Sequence, residues 1–196
     1  MTLRPHQQAL IADNNDKILA MWARMSGKTM IAVEMMRRKA IRGTHLMGVL
    51  NTTSKNQIIT TLGEKYINKS TMGHSVLCMN KKATLYVATY DTIIRGLNNV
   101  EFDSIIFDDL CQLSENQKAL VLQMAVVLSK NQVITIITTP PTKYDIICAL
   151  WHESPNWSKH HYAPDMDIEK LQAYKDIICS DLVEAELLAK VPAHGH

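Results

Sequence analysis

Two short clusters, about eighty residues apart, hold the residue types that handle phosphate. The first is Ala23-Arg24-Met25-Ser26-Gly27-Lys28-Thr29. Between an apolar strand and a helix, such a stretch turns backbone N–H groups and the positive helix end toward an anion. Gly27 lets the main chain approach phosphate oxygens, Lys28 reaches the β- and γ-phosphates, and the Thr29 hydroxyl ligates Mg2+. The pattern G-x-x-x-x-G-K-[ST] is only half met, because its first glycine position is Trp22. A bare Gly-Lys-Thr also arises as a helix start with an incidental lysine, so the strand–loop–helix setting has to support the reading. The second cluster is Ile105-Ile106-Phe107-Asp108-Asp109, a buried strand running into two carboxylates. The first would hold Mg2+, and the second would orient or deprotonate an attacking water. Solvated aspartates at a strand end are the ordinary alternative; the phosphate loop upstream favours the nucleotide reading. Glutamate is the usual second residue, and Asp109 is one methylene shorter, which leaves the competence of water attack open.

These residues need elements to hold them. Lys17 to Trp22 reads as a buried strand and Thr29 to Ile41 as a helix with apolar Met30, Val33, Met36 and Ile41, stopped at Gly43. Further strands are expected over 45–50, 75–78, 84–88, 104–107 and 132–137. Helices are expected over 54–66 with Ser54 as cap, over 89–95, and over 115–128 after Ser114-x-x-Gln117. Short apolar strands alternating with helices argue for a mostly parallel sheet flanked by helices. Ligands of such sheets bind beyond the carboxyl ends of the strands. The polar turns after Trp22, Phe107 and Ile137 all lie at such ends.

The chain has 196 residues, 46% apolar and 20% charged, the proportions of one globular domain with a real core. No apolar run reaches the roughly eighteen residues of a membrane span, and Met1-Thr2-Leu3-Arg4-Pro5 has no leader pattern. Cys78, Cys111, Cys148 and Cys179 form no C-x-x-C pair and are expected as reduced thiols. His152, His160 and His161 lack a compact metal-ligand spacing and are read as a solvated loop. Met30, Met35 and Met36 read as packing residues, as do Trp151 and Trp157. A formal net charge of +2 neither demands nor excludes nucleic acid. The expected layout is a core over 1–150 and a C-terminal loop and helical appendage of the same domain over 151–196, with two helices between 167 and 190.

Several motifs in order resemble the ATPase domain of terminase large subunits, the motors of viral DNA packaging. Leu3-Arg4-Pro5-His6-Gln7 looks like the adenine-recognition segment of terminases and superfamily 2 helicases. The phosphate loop is similar to the terminase form, which lacks the first glycine and has an arginine three residues before the second, here Arg24. Arg95-Gly96 ahead of the acidic pair, Thr138-Thr139-Pro140, Tyr144 to Trp151 and Asp181-x-x-Glu184-x-Glu186-Leu187-Leu188 continue the likeness, from Leu3 to about Lys190.

The resemblance implies an α/β P-loop NTPase of the RecA/ASCE type that hydrolyses ATP with Mg2+. Arg4, Gln7 and residues 23–29 (Ala23, Arg24, Met25, Ser26, Gly27, Lys28, Thr29) would bind ATP, with Gln7 reading the adenine edge. Lys28 and Arg24 would act on the phosphates in catalysis, Asp109 on the water, and Thr29 and Asp108 on Mg2+. Thr138 and Thr139 would couple phosphate loss to movement. Implied partners are double-stranded DNA, a portal protein, a small terminase subunit and a nuclease domain or subunit encoded elsewhere, in a homo-oligomeric ring in the host-cell cytoplasm, without a membrane. No nuclease domain is expected in this chain. Two other readings stay open: a nucleotide-gated binding module with little turnover, which Asp109 keeps alive, and a superfamily 2 helicase fragment.

Overall fold

The computed structural model describes residues 3–97, 100–164, 183–185 and 187–193. In chain order its elements are α1 (Pro5–Ala12), β1 (Lys17–Trp22), α2 (Lys28–Lys39), β2 (Gly43–Val49), α3 (Thr52–Leu62), β3 (Ile67–Ser70), β4 (His74–Asn80), β5 (Ala83–Thr89), α4 (Tyr90–Arg95), β6 (Ser104–Asp108), α5 (Glu115–Leu128), β7 (Ile134–Thr138), α6 (Ile146–Glu153) and β8 (Ser158–Tyr162). The strands form one eight-stranded sheet in the order β3-β4-β5-β2-β6-β7-β1-β8. Six of its strands run parallel, and the β3–β4–β5 end is antiparallel.

Successive side chains of a strand point to opposite faces, so a strand buried on both sides must be apolar throughout. β1 does this: Ile18, Ala20 and Trp22 join the core under α1, α2 and α3. Leu19 and Met21 join a second core with Phe107 of β6, Val121 of α5 and Ile147 of α6. Two of the three methionines of α2, Met35 and Met36, are core residues, while Met30 is partly exposed. Trp151 and Trp157 pack against the second core. The helix after the acidic pair starts as its capping box predicts. Ser114 Oγ accepts from the Gln117 N–H, and the Gln117 side chain accepts from the Ser114 N–H.

Three elements differ from the sequence reading. α3 starts two residues before Ser54, because the Asn51 side chain accepts the Ser54 N–H at 2.9 Å and takes the cap role. It ends at Leu62, short of Tyr66, where Gly63 turns at φ +114. Residues 67–70 form an exposed edge strand that no apolar pattern announces. The stretch around His160 and His161, read as a loop, is the other edge strand: β8 pairs in parallel with β1 from Ile18↔Ser158 to Trp22↔Tyr162. Ser158-Lys159-His160-His161-Tyr162 needs no apolar run, because an edge strand is half solvated, and its charge guards the free edge. It is anchored by Asp13, which accepts from the Ser158 hydroxyl and from His160 Nε2 at 2.6 Å. His161 Nε2 donates to the Ala189 carbonyl and His152 Nε2 to that of Pro192, so all three histidines hold the fold together. Most of the helices expected between 167 and 190, with Cys179, lie outside the described residues.

Gly48 brings β2 close to β6: a Cβ there would sit 2.6 Å from the Phe107 ring, one residue ahead of Asp108. Gly48→Ala is therefore expected to cost about 1–3 kcal/mol by overpacking and to lower Tm by several degrees. Differential scanning calorimetry checks this, and an unchanged Tm would contradict so tight an approach.

Candidate active site

The loop after β1 makes a tight anion cradle. Met25 and Gly27 both take left-handed backbone, at φ +59 and +87. This reverses the chain and delivers Gly27 as the cap of α2, whose first N–H groups have no helical partner and face the loop. Gly27 is required twice over: for its positive φ, and because a Cβ would lie 2.8 Å from Gln7 Nε2. Gln7 is buried, donating from Nε2 to the Ser26 carbonyl at 3.3 Å and accepting the Arg4 N–H at 3.0 Å. The residue read as the adenine reader thus holds the phosphate loop against α1, and its amide has one further N–H and one further lone pair. Arg4 is exposed beside it.

Trp22, at the position of the usual first glycine, is completely buried. Its ring meets His6 edge-on at 4.7 Å, and His6 stacks on Tyr162 at 3.5 Å. The Ala23 N–H donates to the Tyr162 carbonyl at 2.9 Å, so β8 and the aromatic stack fix the start of the loop. Burial lowers the His6 pKa, against a hydrogen bond to the Ser26 main chain. Arg24 and Met25 stand exposed on the crest, Met25 at 93%.

Lys28 is buried behind the crest, its ammonium donating to the carbonyls of Ala23 at 3.1 Å and Trp22 at 3.4 Å. One residue on, the Thr29 hydroxyl donates to Asp108 Oδ2 at 2.7 Å, joining residues 79 apart in sequence. Asp108 is 5% exposed, and its Oδ1 has no hydrogen-bond partner among the described residues. Burial pushes its carboxyl up to about 7; the Thr29 hydrogen bond opposes the shift, Asp109 adds to it and Lys28 counters it. A buried carboxylate oxygen without a partner costs free energy unless a cation meets it. With the Thr29 hydroxyl beside it, this is the hard oxygen set that suits Mg2+. The Tyr90 hydroxyl donates to the Asp108 carbonyl at 2.7 Å and holds the strand end from below.

Asp109 departs from the usual glutamate for a reason visible in its backbone. It sits at φ 62 and ψ 42, left-handed space that aspartate and asparagine tolerate better than longer side chains. Its N–H donates to the Ile137 carbonyl, and its Oδ1 accepts from the Thr139 hydroxyl at 3.3 Å. The Thr138 hydroxyl accepts the Cys111 N–H at 3.0 Å and donates to the Thr139 carbonyl at 3.2 Å. The end of β7 is thus bonded directly to the loop that bears the acidic pair. A cleft of about 460 Å3 opens beside it. The buried Lys118–Asp145 pair, 2.5 Å apart, lines this cleft, and Asp145 also caps α6.

The fold brings together Gln7, Ser26, Gly27, Lys28, Thr29, Asp108, Asp109, Thr138 and Thr139, and leaves Arg4, Arg24 and Met25 at the rim. His6, Tyr90, Tyr162, Lys118 and Asp145 are missing from the sequence reading, because their parts depend on partners 16 to 156 residues away. His6 alone had a signal, lying next to Gln7 in the quoted N-terminal segment.

The family described as terminase large subunit, T4likevirus-type, N-terminal, matches residues 19–174. The ATPase domain of the large terminase of Thermus phage P74-26 shares the fold at TM-score 0.71 and 14% identity, over 97% of this chain and 94% of that one. The large terminase of a thermophilic bacteriophage, solved with ADP, shares it at TM-score 0.65 and 13% identity, over 96% of this chain and 53% of that one. No curated protein matches the chain in sequence.

Asp108 gives a pH test with a definite sign. Its ordinary pKa is 3.8 and its folded value about 7, so between those values the folded chain holds a proton that the unfolded chain releases. Without nucleotide and in chelator, stability should fall as pH rises from about 4 to 7 and level off above. Asp108→Asn should remove that fall. At about pH 8, Mg2+ should raise the Tm of the native chain and leave the variant unmoved. Equal pH slopes in thermal melts of the two proteins would contradict the assignment.

Proposed function

We infer the function from the premise that this chain belongs to the terminase large-subunit family, T4likevirus type, as its N-terminal part. It is an ATPase that drives double-stranded viral DNA into a capsid. The observation that carries this reading is the 2.7 Å Thr29–Asp108 bond beside an unpartnered, buried carboxylate oxygen and the Lys28 ammonium. The membership favours the motor over the helicase fragment.

In this reading Lys28 leaves its main-chain carbonyls for the β- and γ-phosphate oxygens as ATP enters, and the α2 N–H groups receive the remaining charge. Thr29 and Asp108 hold Mg2+, which when bound neutralises charge on the phosphate oxygens. Arg24, at the exposed crest, reaches the γ-phosphate and stabilises its charge in the transition state. Asp109 accepts a hydrogen bond from, or a proton of, the attacking water. Thr139 shares Asp109, so loss of the γ-phosphate changes the partners of the Asp109 carboxylate and hence of β7; Thr138 passes the change to Cys111 and the loop ahead of α5. The DNA, a portal protein, a small terminase subunit and neighbouring copies in a ring are the proposed partners, in the host-cell cytoplasm, with DNA cutting done by a nuclease domain or subunit encoded elsewhere.

A gated module with little turnover is the second reading, favoured by the short, left-handed, Thr139-bound Asp109. Steady-state ATP hydrolysis with Mg2+ separates the two. The motor reading expects turnover that duplex DNA stimulates and that Lys28→Ala reduces by about 100- to 1,000-fold. A native chain that binds ATP without turning it over, together with a large gain in Asp109→Glu, would favour the gated module.

A further inference from the structure

Charge is segregated along this chain although the total is nearly balanced. Residues 24–97 contain twelve lysines and arginines against three carboxylates, Glu34, Glu64 and Asp91. Residues 98–196 contain seven lysines against fourteen carboxylates. The basic stretch builds α2, α3, α4 and the β3-β4-β5-β2 half of the sheet. Six exposed cations from it, Arg37, Arg38, Arg42, Lys65, Lys81 and Lys82, cluster where β2 and β5 begin. That is the end of the sheet opposite the phosphate loop.

The cluster is a built surface. The Gly43 N–H donates to the Lys82 carbonyl at 2.7 Å, and Asn80 Nδ2 donates to the Ile41 carbonyl at 3.1 Å, which joins the β4–β5 turn to the α2–β2 loop. Buried His45 donates from Nε2 to the Arg42 carbonyl and accepts the Ser104 hydroxyl at Nδ1, each at 2.8 Å. Gly43 passes so close to Asp103 that a Cβ would meet its carboxylate at 2.2 Å. Arg37 Nη2 donates to the Thr61 carbonyl at 2.5 Å, joining the ends of α2 and α3. Among the described residues Arg38 pairs with Glu34, and no ion pair engages Arg42, Lys65, Lys81 or Lys82. A helix-end dipole accounts for Arg37 and Arg38, but not for cations converging from a turn and a second helix end.

We propose that this face, formed by the α2–β2 loop, the end of α3 and the β4–β5 turn, grips the phosphate backbone of double-stranded DNA. The proposal rests on the motor reading for its choice of polyanion. Exposed cations on a braced backbone match a phosphate lattice, which positions a protein without reading sequence, and the Asn80 amide of this face is engaged by the Ile41 carbonyl and the Lys82 N–H. Single strands are held largely by stacking on aromatic rings. The described ring beside these cations, Tyr66, lies under the Lys65 ammonium at 5.1 Å, and the exposed apolar residue next to Arg42 is aliphatic Ile41. One rigid rod joins the two ends of the molecule: α2 carries Lys28 and Thr29 at its start and Arg37 and Arg38 at its close.

The test is fluorescence anisotropy of the whole chain with a labelled duplex of about 30 base pairs, over about 25–200 mM salt. Arg42→Gln, Lys81→Gln and Lys82→Gln are combined, and Lys143→Gln with Lys159→Gln serves as a control from the acidic half. The triple variant should lower affinity at the lowest salt by roughly tenfold or more and reduce the slope of log K against log salt by about 2–3; the control should leave both the affinity and the slope close to native. Sedimentation of each protein is recorded alongside. Native binding with an unaltered slope in the triple variant, an equal loss in the control, no native binding at the lowest salt, or a triple variant that changes self-association alone would each overturn the proposal; the last would make the face a contact with the acidic half of another copy. ATP turnover without DNA should be the same in native and triple variant, which shows that the variant is folded. Absence of turnover in both bears on the ATPase reading and not on this surface, for which the thermal melt then serves as the folding control.

Discussion

A single hydrogen bond organises this molecule, from the Thr29 hydroxyl to Asp108 at 2.7 Å. It links the first turn of α2 to the end of β6, and its acceptor is a carboxylate that burial would otherwise drive to the neutral form. Keeping such a group inside is costly in an empty protein and favourable in one that meets a cation. Much of the surrounding architecture is consistent with that cost. Apolar strands on either side of β6 exclude water, Tyr90 fixes the main chain of Asp108, and Gly48 admits the Phe107 ring beside it.

The phosphate loop is fixed by a different device. A glycine at position 22 would leave the start of the loop free, whereas Trp22 fills the space and packs with His6 and Tyr162. α1 then grips the loop from the other side through Gln7. The cradle is therefore shaped by α1 and β8 as well as by its own residues, with conformational entropy removed before any phosphate arrives.

On the opposite wall, β7 ends in two threonines whose hydroxyls bond the loop of the acidic pair. Asp109, Thr139 and Thr138 form a chain of short polar contacts in which a change at one member alters the partners of the next. In the proposed mechanism such a chain would couple chemistry to displacement, because packed elements have few alternative arrangements. The Lys118–Asp145 pair next to it restrains α5 and α6, the helices that β7 would have to move against.

The sequence by itself determined the central strands, the capping box of α5 and the placement of the candidate site residues at the strand ends. Each of these is a local signal: an apolar run, a Ser-x-x-Gln spacing, a Gly-Lys-Thr or an Asp-Asp after a buried strand. It also held the family likeness, which the family match over residues 19–174 bears out. Tertiary structure alone decided the rest. β8 is too polar to read as a strand until β1 supplies its hydrogen bonds, and β3 likewise depends on β4. Asn51 displaced Ser54 as cap because cap choice depends on where the preceding strand releases the chain. Gln7, read as a base reader, is a brace for the phosphate loop, a role set by the position of Ser26 nineteen residues away. Tyr90 and Tyr162 carried no motif, and His6 only its place beside Gln7, since a hydrogen bond or ring contact between distant segments leaves no periodicity in either of them.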